Sequence, residues 1–349
     1  MLSYRIRKNM DPSNIPVVDL GSLFTGDETT KHRIAREIDL AFQNVGFLVI
    51  SGHGVNESTI QNCANSVKSY FDLPTKEKMV VKQPAIEVIR GYIPFNSGAL
   101  ATTEDDSVET APDLKESFNI GPLKVISETD DTLKMLRSPN LWPEQPRDLR
   151  THWEQCYKEL EKLGSTILDA CALALGLPAR WFEQHTDGHF SLLSALHYPA
   201  QIESPKPGQL RAGAHTDFDV LTIISTDDAP GGLQIRSTSG TWTDVPWIPQ
   251  TFVVNVGDLL ARWSNDRWKS TLHRVVNPPR QLAQNSRRLT IGYFQQVNPH
   301  TVIEALPGTV SDDSPAKYPP ITAGEHHNEK FLRQAKAASR LASDQEFAS

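Results

Sequence analysis

Residues 212–236, AGAHTDFDVLTIISTDDAPGGLQIR, contain three short β-rich runs separated by turn residues. Pro230, Gly231 and Gly232 supply one of these turns, because proline and glycine favour tight chain reversals. Many short strands without intervening helices are typical of a β-sandwich, a jelly roll or a barrel. The predicted strands of this region and its flanks are Leu192–Tyr198, Ala212–Asp217, Leu221–Ser225, Leu233–Arg236, Thr241–Asp244, Phe252–Val256 and Leu289–Phe294.

The first half of the chain has the apolar spacing of helices. A helix is predicted from about Lys31, with Thr29 or Thr30 as its cap, and Phe47–Ile50 follows as a buried strand. The longest helical pattern covers Leu149–Leu175, where apolar side chains recur at spacings of four and three. We interpret that stripe as the face of a core helix. The sequence therefore predicts a helical N-terminal half packed on an antiparallel β core.

Composition narrows the classes of function. The 349 residues carry a formal net charge of −7, which argues against nucleic acids and anionic membranes as partners. No apolar stretch reaches membrane-spanning length, and residues 1–14 contain no apolar signal-peptide core. The three cysteines, Cys63, Cys156 and Cys171, cannot all pair, so we interpret them as buried free thiols. These features predict a soluble cytoplasmic protein.

His215 and Asp217 form a candidate metal-binding pair. They are two positions apart in a predicted strand, so their side chains would share one face. His273 is the best candidate for a third ligand. Two histidines and one carboxylate leave three positions open on an octahedral ion, which suits non-haem Fe(II). Alone the pair is weak evidence, because a His-x-Asp pair in a β protein is more often a hydrogen-bonding pair.

Arg288 and Thr290 form a second pair with the same spacing. A guanidinium and a hydroxyl on one inward face would form a clamp for a carboxylate, since arginine offers a fork of donors. Leu289, Ile291 and Tyr293 alternate with this pair and would pack outward against helices. The alternative is that Arg288 faces solvent at the end of a basic loop.

These motifs, with others in the same order, resemble the isopenicillin N synthase-like branch of the Fe(II)/2-oxoglutarate-dependent dioxygenases. The resemblance covers most of the chain. Residues 257–279 look especially similar to members that hydroxylate small metabolites, such as thymine 7-hydroxylase. The blocks that carry the resemblance are Ile15–Leu20, Gly46–Phe47, Gly52–Val55, Phe71–Pro74, Arg90–Tyr92, Asp113–Phe118, His215–Asp217, Gly231–Gln234, Asn255–Asp258, Trp263–Asn265, Ser270–Val275 and Arg288–Thr290.

The resemblance implies an α+β fold, with a double-stranded β-helix (jelly-roll) core and helices packed on one side. It also divides the chain into expected parts that together form one compact unit. These are an N-terminal α/β region (1–125), a long helix with its connections (126–190), a jelly-roll core that binds Fe(II) and 2-oxoglutarate (191–300), and a C-terminal extension with a helix (301–349).

The resemblance further implies an activity and a set of site residues. Fe(II) would be the cofactor, and 2-oxoglutarate and O₂ the co-substrates. A small molecule would be hydroxylated, desaturated or cyclised, with release of succinate and CO₂. The implied iron ligands are His215, Asp217 and His273, the 2-oxoglutarate contacts are Arg288, Thr290 and Tyr198, and the substrate contacts are Phe294, Asn119, Ser117 and Tyr92.

Several positions leave the substrate side open. Ser194 stands where relatives often have arginine. The acidic segment 96–112 is interpreted as a mobile surface loop, with a lid over an active site as the alternative. His53 is assigned to a structural turn, and His326 and His327 to a solvated C-terminal stretch.

Three other functions fit the same motifs. The first is an oxidase like isopenicillin N synthase, which uses Fe(II) and O₂ without 2-oxoglutarate. The second is a zinc hydrolase on the same three ligands. The third is a jelly-roll binding module without activity. Dependence on 2-oxoglutarate, iron content and succinate release would distinguish them.

Overall fold

Strands and helices alternate in the first half of the chain, and strands dominate the second half. A computed structural model describes residues 15–100, 111–124, 126–131 and 133–332. The strands are β1 (Val17–Asp19), β2 (Phe47–Ser51), β3 (Gly91–Ile93), β4 (Glu116–Ile120), β5 (Leu192–Tyr198), β6 (Ala212–His215), β7 (Leu221–Thr226), β8 (Leu233–Arg236), β9 (Trp242–Asp244), β10 (Phe252–Val256), β11 (His273–Val275), β12 (Arg288–Gln295), β13 (Val302–Ile303) and β14 (Ile321–Thr322). The helices are α1 (Gly21–Thr25), α2 (Glu28–Asn44), α3 (Glu57–Phe71), α4 (Thr75–Lys78), α5 (Leu149–Ala174) and α6 (Asp258–Trp263). Residues 323–332 are also helical and are called the C-terminal helix below.

Two sheets form the core. The larger has the order β1-β2-β10-β7-β12-β5-β4-β3, and the smaller has the order β6-β11-β8-β9. Both sheets contribute residues to one internal cavity. Helices α2, α3 and α5 pack against strands of the larger sheet. The predicted α+β architecture, a jelly-roll core with helices packed on it, is confirmed.

Helix α5 forms because its apolar side chains share one face. It packs against α2, α3 and β12. Gly176, at φ +69°, follows the helix in the left-handed conformation that favours glycine and ends it. The predicted core helix of residues 149–175 is therefore confirmed. Its buried stripe includes Leu149, Trp153, Cys156, Leu160, Leu163 and Ile167.

The start of α2 differs from the prediction. The helix begins at Glu28, and its cap is Asp27 instead of Thr29 or Thr30. The Asp27 carboxylate accepts a hydrogen bond of 2.8 Å from the backbone N–H of Thr30. An aspartate satisfies such an unpaired N–H and also interacts favourably with the positive end of the helix dipole. The prediction was wrong because it began the helix at the first apolar-periodic turn.

Strand β12 lies between β5 and β7, and its side chains alternate between two environments. Leu289, Ile291 and Tyr293 belong to the main hydrophobic core. Arg288 and Thr290 point the other way and line the cavity. This is the predicted alternation. Since Arg288 is only 6% exposed, the alternative in which it faces solvent is wrong.

Three further expectations concern the chain as a whole. The three cysteines are buried and free, as predicted. Within the described ranges, no helix is long and apolar enough to cross a membrane. Most of the expected loop or lid at 96–112 lies outside the described residues, because 101–110 are not among them.

A buried polar contact joins α2 to the segment just before β11. Asp39 of α2 accepts a hydrogen bond of 2.9 Å from Trp268 Nε1. It also accepts two bonds from the Arg267 guanidinium, at 3.0 and 2.7 Å. Trp268 is fully buried, so its indole N–H has to find an acceptor inside the protein. The contact therefore fixes the chain shortly before it enters β11.

We expect Asp39→Ala to lower the free energy of unfolding by about 2–4 kcal/mol, because a buried indole N–H and a guanidinium lose their acceptor. Urea denaturation measures this loss. Glu37→Ala on the same helix is the control, since Glu37 pairs with the exposed Arg33. Its effect should stay below about 0.5 kcal/mol. Equal losses in the two variants would contradict the anchoring role of Asp39.

Candidate active site

Two strands of the smaller sheet bring two imidazoles together. His215 ends β6, His273 begins β11, and the two residues are direct partners across the antiparallel pair. Their ring centroids are 4.3 Å apart. Asp217 lies in the coil after β6 and not within the strand, so strand alternation does not explain its position, contrary to our expectation. Its Oδ1 nevertheless lies 3.8 Å from His215 Nε2 and 3.6 Å from His273 Nε2.

Backbone carbonyls set the orientation of both imidazoles. His215 Nδ1 lies 2.7 Å from the carbonyl oxygen of Gly213, and His273 Nδ1 lies 3.1 Å from that of Thr271. A carbonyl only accepts, so Nδ1 donates in both rings, and a neutral ring then keeps its lone pair on Nε2. Burial, reinforced by the neighbouring His273, lowers the pKa of His215 to about 3. His215 is therefore neutral and able to bind a metal at physiological pH.

The second oxygen of Asp217 is held by two side chains to which the sequence analysis assigned no role at the site. Asn255 Nδ2 donates to Oδ2 at 2.7 Å, and Thr222 Oγ1 donates to it at 2.5 Å. Burial raises the pKa of Asp217, but the two histidines and these hydrogen bonds leave it below the ordinary value. The carboxylate is therefore charged, with Oδ1 directed at the imidazoles. A polar residue inside the otherwise apolar β10 was the available signal for Asn255.

The three side chains fit an iron ion. The ligand atoms of His215, Asp217 and His273 all lie within 4.8 Å of one another. Two imidazole nitrogens and one carboxylate oxygen, with further positions open to other ligands, are the donor set of non-haem Fe(II) proteins. Among the residues that the structure describes, no other group of three histidine, cysteine, aspartate or glutamate side chains has this spacing.

A cavity of about 1170 Å³ opens in front of these three side chains. Both sheets line it, as do residues of the segment 82–90 and of the C-terminal helix. Pockets for single drug-sized ligands are roughly 300–1000 Å³. The cavity is therefore large enough for two small molecules beside a metal ion.

One part of the cavity wall carries a buried cation. Arg288 donates through Nη1 to the carbonyl oxygens of Asp227, Ala229 and Gly231, at 3.3, 3.1 and 3.2 Å. Its buried Nε has no acceptor among the described residues. Since a buried guanidinium is costly without an anionic partner, this position favours a ligand with a carboxylate.

Thr290 and Tyr198 lie beside Arg288 on the same wall. Tyr198 is the direct partner of Arg288 across β5 and β12. The Thr290 hydroxyl lies 3.2 Å from the hydroxyl of Thr226 on β7. Burial raises the pKa of Tyr198, so its phenol is neutral and remains a hydrogen-bond donor. The wall thus presents a cation and two hydroxyls to a carboxylate.

Comparisons with known proteins place this arrangement in a family. Residues 15–145 match the family described as non-haem dioxygenase in morphine synthesis N-terminal, and residues 189–297 match the 2OG-Fe(II) oxygenase superfamily. A 2-oxoglutarate-Fe(II) type oxidoreductase of Emericella nidulans, hxnY, is 31% identical over 318 residues, which are 90% of this chain and 88% of that protein. The chain belongs to the 2OG-Fe(II) oxygenase superfamily.

Solved structures agree with this assignment. Thymine 7-hydroxylase of Neurospora crassa in complex with α-ketoglutarate has a TM-score of 0.80 and 34% identity, and the match covers 93% of this chain and 98% of that one. A homoarginine-6-hydroxylase of Oryza sativa is 30% identical over 91% of this chain and 96% of its own length. The protein is an Fe(II)- and 2-oxoglutarate-dependent oxygenase that acts on a small molecule. The alternative of an oxidase that needs no 2-oxoglutarate is not favoured.

Three of the four expected substrate contacts of this oxygenase line its cavity, namely Ser117, Asn119 and Phe294. The Asn119 amide donates to Ser117 Oγ at 3.2 Å and accepts from Ser194 Oγ at 2.6 Å. Ser194 therefore continues a row of neutral polar groups along the cavity wall.

Tyr92 is the exception. Its hydroxyl donates to Glu116 at 2.5 Å, and its ring packs against Tyr70. It is fully buried in the main core and is not among the residues that line the cavity. Tyr92 lies on β3, the edge strand beside β4, and its side chain faces α3, which carries Tyr70. The structure therefore does not bring Tyr92 to the cavity with the other three residues, and nothing in the sequence fixed the face of so short a strand.

The C-terminal helix contributes a wall that was not anticipated. His327 and Phe331 line the cavity. The His327 ring meets Phe190 edge-on at 5.3 Å and stacks on Phe331 at 5.9 Å. His326 is only 7% exposed. The expectation that both histidines are solvated was therefore wrong, since this polar segment folds as a helix against the body of the oxygenase.

These two histidines predict a loss of stability in mild acid. Burial lowers the pKa of each from 6.5 to about 4; His326 also faces Asp258, Lys330 and Arg262, and His327 faces His326 and Arg90. The unfolded chain therefore binds more protons than the folded one between these values. The free energy of unfolding is therefore highest above pH 6.5 and falls as the pH decreases towards 4. The loss is on the order of 2–3 kcal/mol per histidine.

The test is the free energy of unfolding across this pH range. In the double variant His326→Gln/His327→Gln the decline should be shallower than in the wild type. The exposed His300 gives a control, since His300→Gln should keep the wild-type slope. A double variant with the full wild-type slope would assign the acid sensitivity to other groups.

Proposed function

We propose that His215, Asp217 and His273 hold the iron of this oxygenase. The observation that carries the proposal is the convergence of two imidazole Nε2 atoms on Asp217 Oδ1, at 3.8 and 3.6 Å. The carbonyls of Gly213 and Thr271 keep the rings in the tautomer that can bind metal. When bound, Fe(II) supplies the activation of O₂ that couples decarboxylation of 2-oxoglutarate to oxidation of a C–H bond.

Arg288, Thr290 and Tyr198 are proposed to hold the distal carboxylate of 2-oxoglutarate. Arg288 brings a buried cation whose Nε has no acceptor in the described residues. The two hydroxyls provide further hydrogen bonds on the same wall. This contact orients the co-substrate, because a fixed carboxylate at one end limits where its oxo-acid end can lie.

The organic substrate is proposed to be a small neutral heterocycle. Ser117, Asn119 and Ser194 offer neutral hydrogen-bonding groups, and Phe294 offers an aromatic face on the same cavity. The charged group nearest to them along β4 is already engaged, since Glu116 pairs with Lys78 at 2.8 Å. In support, the Neurospora crassa enzyme has been crystallised with thymine. We place the reaction in the cytoplasm, where free thiols such as the three buried cysteines stay reduced.

The experiment is a screen for succinate formation stimulated by added metabolites. Thymine, other neutral heterocycles and homoarginine are compared at equal concentrations. We expect stimulation by neutral heterocycles and a higher KM for the organic substrate in Phe294→Ala, with the KM for 2-oxoglutarate nearly unchanged. Stimulation by homoarginine alone would overturn the proposed substrate class.

Alanine at His215, Asp217 or His273 should abolish turnover and strongly weaken Fe(II) binding, because each removes one of three protein ligands. Asn255→Ala should weaken Fe(II) binding by about 10–100-fold, since Asp217 loses an orienting hydrogen bond. Iron content after dialysis measures both effects. Asn298→Ala is the control, since Asn298 bonds to Asp187 instead. Normal iron binding in a triad variant would remove that residue from the site.

Arg288→Ala should raise the KM for 2-oxoglutarate by the equivalent of roughly 2–5 kcal/mol, the cost of removing one partner of a buried charge pair. Thr290→Val should raise the same KM by the equivalent of about 1 kcal/mol, the net contribution of one hydrogen bond. Steady-state kinetics at varied 2-oxoglutarate concentrations measures the KM of each variant. An unchanged KM in Arg288→Ala, or turnover without any 2-oxo acid, would revive the oxidase alternative.

A further inference from the structure

A second arginine lies behind the proposed carboxylate clamp. Arg211 immediately precedes β6 and is 0% exposed. Its Nη1 donates to the carbonyl oxygen of Pro230 at 2.6 Å, and its Nη2 donates to that of Ser286. Its buried Nε has no acceptor among the described residues. A fully buried guanidinium is rare and needs a reason, because its desolvation is costly.

The carbonyl groups that Arg211 binds belong to the two segments that hold Arg288. Pro230 lies between Ala229 and Gly231, whose carbonyl oxygens accept from Arg288 Nη1 at 3.1 and 3.2 Å. Ser286 is two positions before Arg288 at the start of β12. Arg211 therefore ties the loop before β8 to the start of β12, and both guanidinium groups share one short run of backbone.

The charges near these two arginines do not balance. The Arg211 guanidinium lies 5.7 Å from the ring centroid of Tyr198, the cross-strand partner of Arg288. Asp227 is a neighbouring carboxylate, but it pairs with Lys68 at 3.3 Å and accepts the backbone N–H of Leu289. Burial, together with the charge of Arg288, lowers the pKa of Arg211 to about 10. The other nearby carboxylate, Asp228, acts on Arg288 but is exposed. The two buried cations thus have only an acid that a lysine already engages and one that solvent screens.

We infer that Arg211 is a second cation of the 2-oxoglutarate site, a positioning residue that holds Arg288 and raises the affinity for a dianionic ligand. Without the ligand, two buried guanidinium groups repel each other. A distal carboxylate in front of Arg288 relieves that repulsion, so its binding is favoured by both charges. The inference rests on the proposed function, in which Arg288 meets this carboxylate.

The test measures how well the site distinguishes two 2-oxo acids of equal chain length. 2-Oxoglutarate carries the distal carboxylate, and 2-oxopentanoate carries a methyl group in its place. Their dissociation constants are measured by anaerobic calorimetry on the Fe(II)-loaded protein. The variants are Arg211→Gln, which removes the charge, and Arg211→Lys, which keeps it. Arg280→Gln is the matched control, because Arg280 also donates to two backbone carbonyls, of Gln201 and Ile202, but is exposed.

We expect Arg211→Gln to reduce the preference for 2-oxoglutarate over 2-oxopentanoate about tenfold, on the scale of a charge at an effective dielectric of about 20. Arg211→Lys should keep most of the preference, and Arg280→Gln should keep all of it. If Arg211 had only a structural role, Arg211→Gln would weaken the binding of both 2-oxo acids equally and leave the preference unchanged.

Two outcomes would overturn the inference. One is an unchanged preference in Arg211→Gln while the wild type clearly prefers 2-oxoglutarate. The other is a loss in Arg211→Lys as large as that in Arg211→Gln, which would assign the effect to the carbonyl hydrogen bonds and not to charge. A wild type without any preference would instead refute the proposed clamp at Arg288. Thermal melting of each variant confirms that the proteins compared are folded.

Discussion

The pairing of β6 with β11 is the constraint on which the candidate metal centre depends. The ladder sets His273 opposite His215, and a shift by one residue would turn one ring to the other face. Strand β11 has only three residues, so its own hydrogen bonds are few. Contacts with neighbouring segments therefore also hold β11 in place. At Gly46, φ +74°, an added Cβ would lie 2.2 Å from the carbonyl oxygen of Lys269, so the chain before β11 fits closely against the end of α2.

Opposite charges lie at two places in the cavity, beside the proposed metal ligands and on the wall that carries Arg288. Near the ligands, a charged Asp217 lies beside a neutral His215. On the other wall, Arg288 and Arg211 place positive charge in a region with little solvent. A ligand that chelates metal through one end and carries a carboxylate at the other would fit both the proposed metal ligands and the two arginines. The larger sheet sets this separation, because β12 carries Arg288 while the smaller sheet carries the histidines.

Much of this arrangement could be read from the sequence where periodicity is strong. The alternation of Leu289, Ile291 and Tyr293 with Arg288 and Thr290 fixed the inward face of β12, because a strand has only two faces. Predictions failed where the decisive contact is distant along the chain. The ring of Tyr92 packs against Tyr70 of α3, a contact that no local pattern specifies, and the burial of His326 and His327 depends on where the C-terminal helix docks. Asn255 and Arg211 act through partners that only the folded chain brings near.

The cavity wall is built partly from segments that belong to neither metal-binding strand. Residues of the segment 82–90 and of the C-terminal helix line the cavity, yet they share no ladder with β6 or β11. Mutations there can reshape the pocket while the histidine pair keeps its register. Substitutions that change the substrate preference can therefore leave the proposed iron ligands unchanged. Substrate preference can therefore change through substitutions in these two segments as well as at the polar residues of β4 and β5, and directed evolution of this enzyme would include the two segments.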